Sequence, residues 1–396
     1  MTNTIPGQEL GAWQLPDELQ MLRQTVSDFM AKEIRPAEEL VELDAYRLPE
    51  ETLRPLQAKA RQAGLWCVES PVEYGGAGLG LLAQCIVAEE ASQCRMGAYV
   101  PACGVFGWDP PNVIFDGNED QISRWAMPTI ESGGHTFVAI TEPSGGADPA
   151  RSIATTARLE GDEWVINGTK VYISQAMEAD WGIVFARTDP GKGRAGISCF
   201  IVDANAAGLT KRPIPVIRSW YPCELNFQDV RVPKENLLGE RGQGFQFAQR
   251  WLVHGRVPYA AATVGIGQAA LRLAIEHANN RQTFGSLLAD KQAVQWMIAD
   301  SEIELRAARL LVYQAAWKAD LGIDFKTDAS IAKVYATETA GRVVDRCVQI
   351  LGGLGVSKEM PTERWYRELR IKRIGEGPSE VHRLVVARDM LRNHGR

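Results

Sequence analysis

The first part of the chain, up to about Gly134, repeats apolar residues at the spacing of amphipathic helices. After Pro16, apolar side chains recur in helical steps at Leu19, Leu22 and Val26. Pro16 is followed by two acidic residues, which favour a helix start because they lie at the positive end of the helix dipole. The same periodicity predicts further helices after Pro49, over residues 83–90 and over residues 120–130.

The pattern changes near Phe137 to short apolar runs that are separated by turn residues. The strand-like runs are Val138–Ile140, Ser152–Leu159, Trp164–Ile166, Trp181–Ala186, Gly196–Val202 and Glu224–Phe227. Asn167 and Gly168 lie between two strand-like runs, and an Asn-Gly pair in that position predicts a tight hairpin turn. This region therefore predicts a compact antiparallel β module.

From about Gly244 helical periodicity returns and continues. Apolar and small residues over 294–316 follow helical steps, which predicts one long amphipathic helix. Thr327 and Asp328 are predicted to cap the next helix, which a glycine pair at Gly352 would end. Long helices with short connections predict a bundle. Because the strands do not alternate with helices, a Rossmann sheet is not expected.

Composition narrows the class of protein. The chain has 396 residues, of which 45% are hydrophobic and 23% charged, as in ordinary globular proteins. A formal net charge of -6 favours neither nucleic acid nor an anionic membrane surface as a partner. No run of apolar residues is long enough to predict a membrane span, and the N-terminus does not resemble a secretory signal. The 7 cysteines are scattered and lack zinc-ligand spacing, so we expect reduced thiols, no metal site and a cytoplasmic location.

Several separate segments carry the likeness to a known family, in that family's order and spacing. They are Glu73–Leu79 (EYGGAGL), Thr141–Asp148 (TEPSGGAD), Ile166–Ser174 (INGTKVYIS), Phe227–Pro233 (FQDVRVP), Asn280–Gly285 (NRQTFG), Gln349–Gly355 (QILGGLG) and Glu376–Glu380 (EGPSE). On these segments the chain resembles the acyl-CoA dehydrogenase family over essentially its whole length.

The resemblance implies a fold of the α+β class that is mainly α. Its expected domains are an N-terminal helical domain (residues 1–135), a middle antiparallel β-barrel (136–243) and a C-terminal four-helix bundle (244–396). It also implies tightly bound FAD and a homotetramer, with a dimer left open.

The family's reaction removes the α-proton of an acyl thioester while a hydride leaves the β-carbon for flavin N5. Glu376 matches the family's catalytic base, and it lies between two glycines just before a predicted helix. A carboxylate performs this step best when burial raises its pKa. The residues alone leave another interpretation open, because an acid near a helix N-terminus is favoured by the dipole. Arg256 matches an arginine near the base and the substrate, and a structural ion pair is its alternative role.

The resemblance also implies which residues bind FAD. Carried over position by position, they are Val138, Ile140, Thr141, Ala147, Tyr172, Ser174, Arg281, Thr283, Phe284, Gln292, Gln349, Gly352, Gly353, Pro378 and Glu380. Arg281, Phe284 and Gln292 match residues that reach the flavin of a neighbouring subunit. The pair Gly352 and Gly353 has a second interpretation as a helix C-cap, and the two roles are compatible.

Residues expected to contact substrate include several departures from the family pattern. The expected substrate contacts are Ala147, Val253, Arg256, Gly375 and Gly377. Ala147 stands for a usual serine, Val253 for a frequent acid and Pro378 for a common threonine. Gly375 replaces a frequent tyrosine, which predicts empty volume beside the base and a bulkier acyl group. Gly255 excludes the alternative base that some members carry there.

The resemblance implies dehydrogenation of an acyl-CoA thioester to the 2,3-enoyl product, with electron-transfer flavoprotein as acceptor. An oxygen-using flavoenzyme, such as a monooxygenase or nitroalkane-oxidase-like protein, and a non-catalytic flavin-bound scaffold are the alternatives. Retention of Glu376 disfavours both. Trp108 is interpreted either as lining the acyl pocket or as a packed loop residue. The acyl group, and whether its carrier is CoA or another thioester, stay open.

Overall fold

A computed structural model of the protein describes residues 15–394. Its α-helices are α1 (Asp17–Phe29), α2 (Arg35–Glu38), α3 (Glu50–Gln62), α4 (Leu81–Ala91), α5 (Glu119–Gln121), α6 (Met127–Ser132), α7 (Pro149–Ser152), α8 (Gly244–Asn280), α9 (Gln292–Asp320), α10 (Lys326–Leu351), α11 (Pro361–Lys372) and α12 (Ser379–Asn393). Its strands are β1 (Thr136–Ala139), β2 (Thr156–Glu160), β3 (Glu163–Ile173), β4 (Trp181–Arg187), β5 (Ile197–Asp203), β6 (Leu209–Pro213), β7 (Cys223–Pro233), β8 (Leu237–Leu238), β9 (Gln282–Thr283) and β10 (Ser286–Leu287). None of the helices within these residues is both long and apolar enough to cross a membrane.

The chain folds into two compact units. The first contains residues 15–65, 79–105 and 253–394, and the second contains residues 66–78 and 106–252. The predicted order of helices, sheet and helices is confirmed. The domain boundaries predicted after residues 135 and 243 stay predictions.

Helices of the first unit pack through small residues. Helix α10 contacts α9, α11 and α12, while α4 contacts α1 and α9. The core of this unit is rich in alanine, which lets helix backbones approach closely. Gly265 of α8 shows the closest approach, because a β-carbon there would lie 1.9 Å from the Glu89 carbonyl oxygen of α4. The hydroxyl of Ser92 donates a hydrogen bond of 2.8 Å to the Ala262 carbonyl and joins the same two segments.

Helix ends follow the predicted signals in part. Pro16 directly precedes α1, and Gly352, with a φ of 62°, ends α10 as predicted. The predicted cap of α10 is wrong, because the helix already begins at Lys326 and Asp328 lies in its first turn. The carboxylate of Asp328 instead accepts a hydrogen bond of 2.8 Å from Lys318 of α9.

The second unit is built on one sheet with the strand order β6-β7-β3-β2-β4-β5-β8, and β1 pairs with β4. Most neighbours are antiparallel, but β1–β4 and β2–β4 are parallel. The predicted antiparallel pairing is therefore wrong at these two pairs, and the other pairs of the sheet confirm it. The run predicted as a strand from Ser152 is also shorter, because α7 ends at Ser152 and β2 begins only at Thr156.

The hairpin predicted at Asn167 and Gly168 is wrong, because both residues lie inside the single strand β3. The register against β7 shifts at this point, and the Asn167 amide exchanges hydrogen bonds of 2.9 Å with Asp229. Gly168 has a φ of 152°, and a β-carbon there would lie 2.4 Å from the Thr155 hydroxyl oxygen. The glycine therefore serves a bulge, and the hairpin lies at Gly161 between β2 and β3.

Two glycines inside long helices of the first unit predict opposite effects of the same substitution. Gly265→Ala should destabilise the protein by about 3 kcal/mol, because the new methyl group overlaps a backbone oxygen of α4. Gly341→Ala in α10 should stabilise it by about 0.5 kcal/mol, because nothing lies within 4 Å and alanine favours a helix. Urea unfolding of the two variants measures both values. Equal effects would contradict the packing of α8 on α4.

Candidate active site

Glu376 lies in the short connection between α11 and α12, in an unusual backbone conformation. Its φ is 57°, and the next residue, Gly377, has a φ of 95°. A residue with a side chain in the left-handed region costs about 1 kcal/mol or more, so surrounding contacts must hold it there. Gly377 also needs to be glycine, since a β-carbon would lie 3.0 Å from Nε2 of His382.

Side chains from three helices hold the two carbonyl groups of this connection. The Glu376 carbonyl oxygen accepts hydrogen bonds from Nε of Arg256 on α8 (3.0 Å) and from Nε2 of His382 on α12 (3.1 Å). The Gly377 carbonyl oxygen accepts one of 2.6 Å from Nζ of Lys333 on α10. Burial lowers the pKa of His382 to about 3, so the imidazole is neutral and its Nε2 carries the proton that it donates.

The carboxyl group of Glu376 is suited to accept a proton. Its Oε2 atom is buried, and within residues 15–394 it has no hydrogen-bond partner. Burial raises the pKa of this carboxyl, while the charges of Arg256, Lys333 and Lys372 act in the opposite direction. A buried carboxyl with a raised pKa matches the chemistry of a general base that works near neutral pH.

Three charged or polar residues of this cluster were missed by sequence reasoning. Lys333 occupies a buried helical position, one turn after Ala329 and one turn before Ala336, and a lysine in such an apolar stripe was the available signal. Lys372 and His382 gave no comparable signal, because their burial depends on how α11 and α12 pack. For Arg256, which the sequence did predict, burial lowers the pKa of the guanidinium, and the charge of Glu376 acts in the opposite direction.

The empty volume predicted beside Gly375 is wrong. A β-carbon on Gly375 would lie 2.7 Å from the hydroxyl oxygen of Tyr259, which comes from α8. The ammonium of Lys372 lies 3.7 Å from the centre of the Tyr259 ring and 4.5 Å from that of Tyr99. An aromatic side chain from another helix therefore occupies the space that a tyrosine at position 375 would use.

The predicted flavin residues of the second unit include a loop that a buried ion pair holds. Glu142, directly after Thr141, accepts hydrogen bonds from the backbone of Ala154 and Thr155 and lies 2.8 Å from Nζ of Lys170. Burial acts to raise the pKa of Glu142, but the Lys170 ammonium holds it below its usual range. Burial lowers the pKa of Lys170 to about 8.

Thr141, Tyr172 and Ser174 are brought together in this unit. The Thr141 carbonyl accepts a hydrogen bond of 2.9 Å from the Val171 backbone, which places Tyr172 next to the loop. Tyr172 has a φ of 60° and is 61% exposed, so its ring stands out from the sheet. The Ser174 hydroxyl accepts a hydrogen bond of 2.9 Å from Arg218, which sequence reasoning did not select. An exposed ring with nearby hydroxyl groups fits a planar heteroaromatic ligand.

The predicted flavin residues of the first unit lie at its surface. Those that are exposed are Arg281, Phe284, Gln292, Gln349, Gly352 and Gly353, and Thr283 is half-buried. Phe284 is fully exposed and has a φ of 50°, at the two-residue turn between β9 and β10. A fully exposed aromatic ring that the backbone holds outward is typical of a contact with another molecule.

The remaining predicted residues are spread over both units. In the second unit Ile140 is buried, Val138 half-buried and Ala147 exposed, and Trp108 packs against His135 and Trp220 as the packed-loop interpretation expects. In the first unit Val253 and Pro378 are half-buried, and Glu380 is exposed in the first turn of α12.

One group of potential metal ligands occurs within residues 15–394. The ligand atoms of Glu38, Cys94 and Cys103 lie within 4.8 Å of one another. The positive charges of Arg95 and Arg364 act on the Glu38 carboxyl, and their repulsion disfavours a cation at this point.

Family models describe most of the chain. The model of the acyl-CoA dehydrogenase N-terminal domain matches residues 16–133, that of the middle domain residues 138–230 and that of the C-terminal domain residues 242–391. Along the chain the three matches follow in the order N-terminal, middle and C-terminal domain.

Individual proteins are similar over nearly their whole length. The mitochondrial short-chain specific acyl-CoA dehydrogenase of Rattus norvegicus is 40% identical over 387 residues, which cover 96% of this chain and 92% of that protein. The 3-(aryl)acrylate reductase of Clostridium sporogenes is 36% identical over 381 residues, covering 95% and 99%.

Solved structures share the fold. The butyryl-CoA dehydrogenase of Megasphaera elsdenii has a TM-score of 0.85 and 33% identity, covering 96% of this chain and 99% of that one. A structure from work on the electron transferring flavoprotein of Acidaminococcus fermentans has the same TM-score, identity and coverage.

The buried pair Lys170 and Glu142 predicts a large loss of stability when one partner is removed. Lys170→Met leaves the Glu142 carboxylate buried without its counter-ion, so we expect a loss of about 3 kcal/mol in urea unfolding. Lys234→Met breaks the exposed pair with Asp162, which joins two segments just outside the strands, and should change stability little. Similar effects of the two variants would contradict the role of the buried pair.

Proposed function

The chain belongs to the acyl-CoA dehydrogenase family, and on that premise we propose that it dehydrogenates a short-chain acyl-CoA thioester to the 2,3-enoyl-CoA. Members of this family are flavoproteins with FAD, and they are oxidoreductases that act on CH–CH bonds. The observation that carries the proposal is the buried, unpartnered carboxyl oxygen of Glu376, whose pKa burial raises.

Glu376 takes the α-proton in this proposal. The C–H bond at the α-carbon breaks, its proton passes to a carboxylate oxygen of Glu376, and its electron pair forms the new double bond as a hydride departs from the β-carbon. FAD, when bound, supplies the acceptor for that hydride. Arg256 and His382 hold the Glu376 backbone, so the carboxylate keeps its direction during proton transfer.

Each unit has residues that suit a part of FAD. In the second unit, the exposed ring of Tyr172 and the hydroxyl groups of Thr141 and Ser174 suit the isoalloxazine. In the first unit, the exposed guanidinium of Arg281 suits the pyrophosphate. Gly353 is exposed, and a β-carbon there would meet no other residue within 4 Å, so this turn has room for a phosphate beside its backbone.

Assembly and electron transfer complete the proposal. The fully exposed ring of Phe284 supports a homotetramer in which this turn contacts the cofactor of a neighbouring subunit. Similarity to a structure from work on an electron transferring flavoprotein supports such a protein as the acceptor. The cytoplasmic location stays a prediction, and the mammalian relatives are named as mitochondrial.

The short acyl group follows from two lines of support. The Rattus norvegicus relative is named as specific for short chains, and the Megasphaera elsdenii structure is a butyryl-CoA dehydrogenase. The hydroxyl of Tyr259 occupies the space beside Gly375, which removes the reason to expect a bulkier group. Butyryl-CoA is therefore the first substrate to test.

Glu376 and Glu380 form a matched pair for testing the base. Glu376→Gln should slow anaerobic reduction of the flavin by butyryl-CoA by about 10²–10⁴-fold, because the amide cannot take the proton. Since the base works ionised, the wild-type rate should rise with pH through the raised pKa of Glu376. Glu380→Gln should retain most of the rate, because its carboxylate is exposed.

Stopped-flow absorbance measures flavin reduction in both variants. A Glu376→Gln protein that reduces its flavin at the wild-type rate would contradict the proposed mechanism. So would an inactive Glu380→Gln protein that still holds its flavin.

Tyr259 predicts which acyl groups are accepted. Tyr259→Ala should raise kcat/KM for isobutyryl-CoA relative to butyryl-CoA by about 10-fold, because it opens the volume beside Gly375. Tyr366→Ala removes an exposed tyrosine of α11 and should leave the ratio unchanged. An unchanged ratio in Tyr259→Ala would show that this side chain does not border the acyl group.

A further inference from the structure

Lys333 is a buried cation to which the proposed reaction assigns no role. Its side chain is 0% exposed within the first half of α10, and its Nζ donates a hydrogen bond of 2.6 Å to the Gly377 carbonyl. A lysine is almost never fully buried unless its charge has a partner or a task, because removing the ammonium from water is costly. The short bond to a neutral carbonyl group is therefore a feature that needs a reason.

The bond acts on the conformation of the residue before Gly377. Glu376 and Gly377 have consecutive left-handed φ angles of 57° and 95°. The Glu376 carbonyl is held by Arg256 and His382, whereas Lys333 holds the next carbonyl from a different helix. Two carbonyl groups fixed from α8, α10 and α12 leave the Glu376 peptide little freedom to rotate. Loss of the α10 contact would let this backbone relax towards an ordinary conformation.

The same ammonium also acts on the charge of Glu376. Burial raises the pKa of the Glu376 carboxyl, and the Lys333 charge is among those that oppose this rise. Burial lowers the pKa of Lys333 to about 8, so the ammonium is mostly charged at neutral pH. The other charged or titratable groups that act on one of these two residues are Arg256 of α8, Glu338 of α10, Lys372 of α11, and Glu380 and His382 of α12.

Two of these groups keep one charge state near neutral pH. His382 has a pKa of about 3 and is neutral throughout, and Arg256 remains a cation. Lys372 lies against the rings of Tyr99 and Tyr259. Lys333 combines a hydrogen bond to this connection with a charge that acts on the Glu376 carboxyl.

We propose that Lys333 is a positioning residue for the base: its ammonium holds the Gly377 carbonyl, keeps Glu376 in the left-handed conformation and favours the ionised carboxylate. This inference rests on the proposed function, in which Glu376 is the base. Lys333 acts on the base indirectly, through its hydrogen bond to the Gly377 carbonyl and through its charge.

The test compares Lys333→Met, which keeps the length and apolar stem, with wild type over a range of pH. Without the cation the carboxyl is harder to ionise, so the midpoint of the rate profile for flavin reduction should move up by about one pH unit. Misplacement of the base should also lower the limiting rate by up to about 10²-fold, with KM changed much less. A merely structural loss would reduce the rate equally at every pH.

A second measurement does not depend on turnover. Infrared difference spectra between pH values report protonated carboxyl groups, and the band of Glu376 is the one that disappears in Glu376→Gln. In Lys333→Met the midpoint of this band should shift upward by the same amount as the rate profile. Lys326→Met, an exposed lysine of the same helix, is the control and should leave both midpoints unchanged.

A conservative variant guards against a folding defect. Lys333→Arg keeps a cation, so its midpoint should stay near that of wild type even where the larger group reduces the rate. If Lys333→Met does not fold, Lys333→Gln removes the charge but keeps a donor, and an upward midpoint with a smaller loss of rate is expected.

The outcomes separate this inference from the proposed function. An active Glu376→Gln protein would overturn the assignment of the base. An inactive Glu376→Gln protein together with wild-type midpoints in both Lys333→Met and Lys333→Gln would overturn only the role of Lys333.

Discussion

The left-handed backbone at Glu376 is the constraint on which the first unit's chemistry depends. A residue with a side chain does not adopt this conformation without help, and here the help comes from Arg256, His382 and Lys333 on three different helices. The direction of the carboxyl follows from this one peptide, whereas burial raises its pKa. Burial that makes the group basic also makes it costly to ionise, and the nearby cations offset part of that cost.

Packing of the helices is what brings those cations to the peptide. Gly265 lets α8 approach α4, and the alanine-rich core lets α10 lie close to its neighbours. Because each helix is rigid, a shift of one helix would move its cation away from the carbonyl groups. Stability and proposed catalysis are thus coupled in the first unit: the substitutions that separate helices also release Glu376.

The second unit also contains buried charged side chains that bond to the backbone of an irregular segment. The buried pair Glu142 and Lys170 satisfies backbone N–H groups of residues 154 and 155 and holds the loop that contains Thr141. In both units a buried charge bonds to backbone groups of an irregular segment, so that residues in a loop gain the rigidity of the elements beside them. Tyr172 in β3, next to this loop, stays exposed.

Periodicity and local signals determined the helices α1, α3, α4 and α9, because such patterns depend on neighbours in the chain. The resemblance carried by the motif around Glu376 implied the candidate base. The hairpin at Gly168 and the empty volume at Gly375 were predicted wrongly, since the first depends on Thr155 across the sheet and the second on Tyr259 from another helix. Lys333 and His382 contact the connection between α11 and α12 only because α10 and α12 pack against it. Local propensity acts within a few residues, whereas the pKa and the direction of a buried carboxyl depend on groups that only the tertiary structure brings together.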